Sequence, residues 1–380
     1  MKFPVSSVDL LEIALNPDFS QIESDDIQND VNTVNALYFQ EKRPFFSQGA
    51  ELFQFSSQRG YINLFYSRTI NDPSIAAKYT GKIGQTSYGI ISARDESSPL
   101  LLPFEENSTV VTMGKSTSNI IRAKRMIGGN GGSIGAILTN RIFDNAGDMT
   151  TAGLDFHLHP GNNIHITLHG TASIHNESDN FEYIYDQSSN DYPSTFDNGR
   201  YTKTFDGEKI TGNAIGFAIN YRDRTDDYGV VLRLRSPGFR TSNGFEKNNS
   251  TKWLKAGRGK TVYYDNHPKL LKTKYNIETV YKTNYTSVIK KQELSLSTSS
   301  DLKNGDFFKL SGEVEKENFR GIQFDNLYEF EFGYRNQINS SLKVYNELQS
   351  RKIIVRNLDN PSSSGFYQVK SYVEYRISDK

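Results

Sequence analysis

The 380-residue chain sets 44 Lys+Arg against 44 Asp+Glu, and this zero net charge argues against a nucleic-acid binder, whose usual footprint is a basic excess or stripe. It has no cysteine, which excludes disulfide frameworks, thiolate metal sites and cysteine nucleophiles. Hydrophobic residues make up only 36%, yet aromatics reach 12%, with 22 Tyr, 24 Phe and the single Trp253; many aromatics with few long apolar runs suit strands that have one apolar face.

No apolar run approaches the roughly 18 residues that a transmembrane helix needs. The N-terminus, MKFPVSSVDLLEIALN, lacks the apolar segment and small-residue cleavage site of a signal peptide, so an exported chain is expected to be truncated in front. Residues 9–15, 48–56 and 61–70 read as early strands, with a polar connector between Ser24 and Asn35. Strands follow near 78–83, 87–94, 107–114, 118–127 and 133–142, and GGNGG (Gly128 to Gly132) marks a tight hairpin.

The clearest period-two run is 163–175, where Ile164, Ile166, Leu168, Gly170, Ala172 and Ile174 alternate with His165, Thr167, His169, Thr171, Ser173 and His175. The preceding strand sets Leu154, Phe156 and Leu158 against Asp155, His157 and His159. A hairpin closed by Pro160-Gly161-Asn162 places Leu158 opposite Ile164 and His157 opposite His165. Further strands are predicted near 212–223, 228–236, 259–265, 272–284, 287–298, 305–316, 326–335, 341–349 and 366–376, and no stretch reads as a helix.

Short connections (128–132, 160–162, 223–227) alternate with longer ones (143–149, 176–211, 237–258), as they do in up-and-down outer-membrane barrels. Many strands run ten to thirteen residues, longer than usual in soluble sheets and suited to a tilted bilayer crossing. The predicted fold is therefore all-β: an antiparallel up-and-down transmembrane β-barrel, as an incomplete fragment. Residues 1–47 form a leading segment, as plug or first strand, and 48–380 form the barrel. A large soluble β-sandwich or propeller is the competing architecture, since alternation does not say which face meets lipid.

Three groups invite chemistry. His157, His165 and Asp155 could share a metal ion on the polar face of one hairpin, although a lumen-facing polar role explains them without a metal. Glu41-Lys42-Arg43-Pro44-Phe45-Phe46 reads as a Pro-fixed charged turn before a strand. Asp18, Glu23, Asp25 and Asp26 lack the spacing and glycine of a calcium loop and read as a solvated or capping cluster. No hydrolase elbow, zinc-protease motif or phosphate loop is present, so neither catalytic residue nor cofactor is assigned. In a barrel, His165, Thr167, His169, Arg233 and Arg235 face the lumen, while Ile164, Ile166, Leu232 and Leu234 meet outer-membrane lipid.

Several stretches carry a family resemblance. NPDFSQIESDD (from Asn16), EKRPFFSQGAELF (to Phe53), LFYSRTI (from Leu64), GKIGQTSYGIISA (from Gly81), RAKRMI (from Arg122), SIGAILTNR (from Ser133) and AGLDFHL (from Ala152) together resemble the DUF5916 family, over about residues 10–160. The resemblance implies a C-terminal outer-membrane β-barrel domain of a bacterial protein, usually preceded by a signal peptide and a carbohydrate-binding family 9-like domain. It thus implies a non-catalytic protein linked to glycan binding or uptake through that partner domain. The alternative is a secreted or surface carbohydrate-active enzyme or glycan-binding protein with a soluble β-fold. The ending YRISDK lacks the terminal aromatic of a last barrel strand, which points to truncation at the back as well.

Overall fold

A computed structural model describes residues 1–16, 36, 38–55, 62–144, 147–184, 195–357 and 360–377. The chain is nearly all β, and seventeen strands belong to one antiparallel sheet. Strands that follow one another in sequence pair as neighbours, which makes this the up-and-down β-barrel class. Two compact units divide the chain: Met1–Ala218 with Leu232–Lys252, and Ile219–Val231 with Trp253–Lys380.

In the first unit, β1 (Lys2–Pro4) pairs with β2 (Leu10–Leu15), which pairs with β3 (Pro73–Ile83) and then β4 (Thr86–Asp95). A separate hairpin follows, β5 (Pro99–Pro103) with β6 (Ser108–Thr112), before the main sheet resumes. It continues through β7 (Ser116–Ile127), β8 (Gly132–Phe143), β9 (Gly147–Leu158) and β10 (Ile164–Glu177). The β7–β8 turn is tight because Gly128 and Gly131 adopt positive φ (66° and 78°), as GGNGG predicts. An insertion carries β11 (Asp179–Ile184), β12 (Thr195–Phe196), β13 (Tyr201–Thr202) and β14 (Thr204–Asp206), after which β15 (Lys209–Arg222) and β16 (Asp226–Arg235) return to the sheet.

Three expectations are corrected here. Of the expected strand 48–56, the described residues 48–55 form none: Pro44–Ser47 and Ala50–Phe53 are single helical turns, α1 and α2, with Pro44 opening α1, where its missing N–H costs nothing. Residues 62–70 form no strand either and hold only a 3₁₀ turn at Ser67–Thr69. In the β9–β10 hairpin Leu158 pairs with Ile166 and His157 with Thr167, because residues 159–163 all lie outside the strands and the ladder begins beyond Pro160-Gly161-Asn162. That slip of two residues is even, so every side chain keeps its expected face. Asp18, Glu23, Asp25 and Asp26 lie outside the described residues.

In the second unit β17 (Thr251–Tyr263), β18 (Leu270–Asn284), β19 (Ile289–Leu302), β20 (Phe307–Phe319), β21 (Ile322–Gln337), β22 (Leu342–Val355) and β23 (Ser362–Tyr375) form a meander of long hairpins. Trp253, expected in a loop, sits in β17, since the loop before it ends at Ser250. One face of these strands is apolar and exposed: Leu294, Leu296, Leu310, Val314, Phe330, Phe332 and Leu348. The other bears a ladder of ion pairs, among them Lys291 with Glu293 and Glu315 (2.8 Å each), Lys309 with Glu331 (2.7 Å) and Arg356 with Glu317 (2.6 Å).

Candidate functional site

The first unit is built inside out. On β8, Ile134, Leu138 and Ile142 are exposed, while Ile137, Thr139 and Arg141 between them are buried. On β9 and β10, Leu154, Leu168 and Ile174 are exposed, while Asp155, His169 and His175 are each only 1% accessible. The buried face is covered by chain from three places: residues 38–55, residues 62–70, and the loop 236–250. Phe46, Phe53, Phe55, Ile62, Leu64, Ile70 and Phe239 pack there against Ala76, Ile91, Ala93, Ile120 and Ile137 of the strands. On this face Ile and Ala side chains stand beside buried charged ones and pack against the inner segments.

Charged side chains of the wall hold the inner segments by their backbone carbonyls. Lys78 Nζ donates to Phe45 O (2.6 Å) and Gln48 O (2.8 Å) and pairs with Glu12 (2.6 Å). Arg122 meets Asp155 with both terminal nitrogens (2.5 and 2.9 Å) and also donates to Leu52 O and Gln54 O (3.2 Å each). Arg141 donates to Thr69 O (2.8 Å), Pro99 O and Ser242 O (3.1 Å each), Ser116 Oγ (2.9 Å) and Asp95 (3.2 Å). A guanidinium has five N–H donors and no acceptor, so a ring of carbonyls around a carboxylate satisfies it fully while it is buried.

The loop 236–250, expected as an outer connection, is folded inward. Its Glu246 accepts from the Asn63 backbone N–H (2.7 Å) and pairs with Arg235 (2.9 Å), and Asn243 O accepts from the Tyr66 N–H (2.7 Å). Burial pushes the Glu246 carboxyl above its usual range, and Arg235 beside it opposes that rise. Two glycines make room: a methyl group on Gly135 would lie 2.6 Å from Arg122 and Asp155, and one on Gly153 would lie 2.7 Å from the Phe55 ring. Gly153→Val is expected to push Phe55 and Leu64 off the wall, seen as faster amide exchange across residues 62–70.

The Pro-fixed charged turn serves this packing. Arg43 reaches Ser67 O (2.8 Å) and Ile70 O (2.7 Å) and pairs with Glu41 (2.8 Å), which also accepts from Ser67 Oγ (2.5 Å). Burial raises the Glu41 carboxyl, but the Arg43 contacts and the Ser67 hydroxyl outweigh it and hold it below its ordinary 4.5. With the folded value below the unfolded one, the pair stabilises fully above pH 4.5 and fades as pH falls through the folded value. Pepsin cleavage within residues 38–70 is therefore expected to rise as pH falls below 4.5, and Glu41→Gln should abolish that acid step.

The sequence-proposed residues fall as follows. Asp155 is engaged by Arg122, and His157 Nε2 lies 3.5 Å from Asp155 Oδ2. His165 is exposed near the hairpin loop with its ring 4.6 Å from that of His159, and its cross-strand neighbour is not His157. Thr167 lies 3.4 Å from His157 Nδ1, His169 is buried against Phe55, and Arg233 and Arg235 are half-buried. Residues missed in the sequence are Glu12, Lys78, Arg122, Arg141 and Arg240, all buried. For Glu12, Lys78 and Arg122 the signal was a full charge at an alternating position between apolar residues.

Comparison with known proteins adds the following. The family model of DUF5916, described as a domain of unknown function, matches residues 1–93, so the resembling stretches from Arg122 onward lie beyond it. No curated protein matches. Among solved structures, the crystal structure of BamA from Haemophilus ducreyi lacking POTRA domains 1–3 is similar with a TM-score of 0.38 and 9% identity, covering 79% of this chain and 67% of that one. The likeness to the DUF5916 family is thus confined to residues 1–93.

Proposed function

We propose that this chain is a non-catalytic bacterial outer-membrane β-barrel protein whose first unit carries an internal plug. The observation behind this reading is the inverted burial: alternate aliphatic residues of long strands face outward while Arg122, Arg141, Asp155 and His169 are buried. In water that arrangement exposes apolar surface with no return, whereas in a bilayer it satisfies lipid outside and polar groups within. No helix among the described residues is long and apolar enough to cross a membrane, and in the proposed barrel the strands make the crossing. The non-catalytic assignment is supported by the engagement of the buried carboxylates Asp95 and Asp155 with arginines.

The link to glycan binding or uptake rests on the family resemblance and is assigned to a partner domain, so this chain alone is expected not to be retarded in polysaccharide affinity gels. The membrane reading is tested by refolding the chain with and without lipid vesicles. Folding that requires lipid, with gel mobility that shifts on heating, is the expected result. A folded, monodisperse chain without detergent would overturn it and favour the soluble glycan-active alternative.

A further inference from the structure

We propose that Glu177, Asp206 and Glu208 form a binding site for a hard divalent cation of the Ca²⁺ type, which ties the insertion 178–208 to the inward loop 236–250. One carboxylate oxygen from each residue lies within 4.8 Å of the others. The Glu177 side chain is fully buried; its Oε1 faces Arg240 (3.1 Å) and His175 (3.8 Å), while its Oε2 has no hydrogen-bond partner. Asp206 repeats the pattern: Oδ2 accepts from Thr202 Oγ1 (2.7 Å) and Thr204 Oγ1 (3.4 Å), while Oδ1 is buried without a partner. Glu208 Oε2 accepts from the Thr202 backbone N–H (2.9 Å), which fixes its carboxylate beside the other two.

Buried acceptor oxygens without donors are rare and call for an occupant. Here three carboxylates meet beside one guanidinium, that of Arg240. An all-oxygen donor set with some freedom in the loop suits Ca²⁺, with water completing its coordination. The backbone bonds Glu177 N–H to Glu208 O (3.0 Å) and Gly207 N–H to Ser178 O (3.2 Å) preform the site. Because Glu177 also holds Arg240, whose backbone packs on Ser173 and Thr151, a bound cation would fasten the inner loop to this rim.

The test uses the full chain folded in detergent micelles and stripped with EDTA, titrated with CaCl₂ by calorimetry and followed by thermal unfolding. Saturable Ca²⁺ binding with a raised unfolding temperature is expected. Glu177→Gln strands Arg240 and can fail to fold, so the informative variant is Asp206→Asn with Glu208→Gln. It should lose about tenfold or more in Ca²⁺ affinity, yet unfold in EDTA at or above the parent temperature, because repulsion is removed. Absence of any Ca²⁺ response would overturn the site, as would a variant that is less stable in EDTA with unchanged Ca²⁺ affinity. Binding of Zn²⁺ alone, lost on His175→Gln, would also overturn it.

Discussion

Arg141→Met should destabilise the first unit by about 3–5 kcal/mol, the range for removing one partner of a buried ion pair. The side chain is wholly inaccessible and contacts Asp95, Ser116, Thr69, Pro99 and Ser242, so one substitution releases the wall, the β5–β6 hairpin, the inner 62–70 segment and the inward loop together. Asp95 retains hydrogen bonds from the backbone N–H groups of Asn71 (3.1 Å) and Asp72 (2.5 Å), but its charge is left in an apolar setting. Adding Asp95→Asn to Arg141→Met is expected to return part of the loss, because the neutral amide no longer needs a counter-charge. Denaturant unfolding in micelles of both single variants and the double variant measures this. Strict additivity would show that the two groups do not interact.

Leu296→Arg should cost about 2–4 kcal/mol of folding free energy in lipid if its site lies near the bilayer midplane, while Ser297→Arg on the same strand should change it little. Leu296 is 53% exposed and stands on the apolar face of β19, whereas Ser297 shares the opposite face with Lys291 and Glu293. Neighbouring residues of one strand point to opposite sides, so the pair reports which side meets hydrocarbon. Folding into vesicles of increasing chain length gives the readout. Equal tolerance at both positions would mean that the exposed aliphatic face is not in contact with lipid.

The long strands were legible because alternation is a local property: Ile134 to Ile142 and Tyr328 to Tyr334 show it directly. The direction in which each face points was not, since it depends on what fills the other side. Residues 61–70 misled because Ile62, Leu64 and Tyr66 alternate as in a strand and are indeed buried, yet the segment is held by isolated backbone bonds to Asn243 and Phe245 and by wall side chains on its carbonyls rather than by a continuous ladder. The single helical turns at Pro44 and Ala50 are too short to show a helical period. The β9–β10 register depended on where the ladder begins beyond Gly161, which composition does not set. The carbonyl-binding roles of Arg122 and Arg141 required the path of the inner segments, and nothing local in RAKR or LTNR reveals it.

The inward loop also sets an order of events in time. Asn63 bonds to Glu246 across 183 positions, and Pro103 to Asn249 across 146. Contacts so distant in sequence close large loops and form slowly. The inner segments therefore cannot lock until Asn249 has been synthesised and β16 has joined the sheet. Until then Phe53, Phe55 and Leu64 remain partly uncovered.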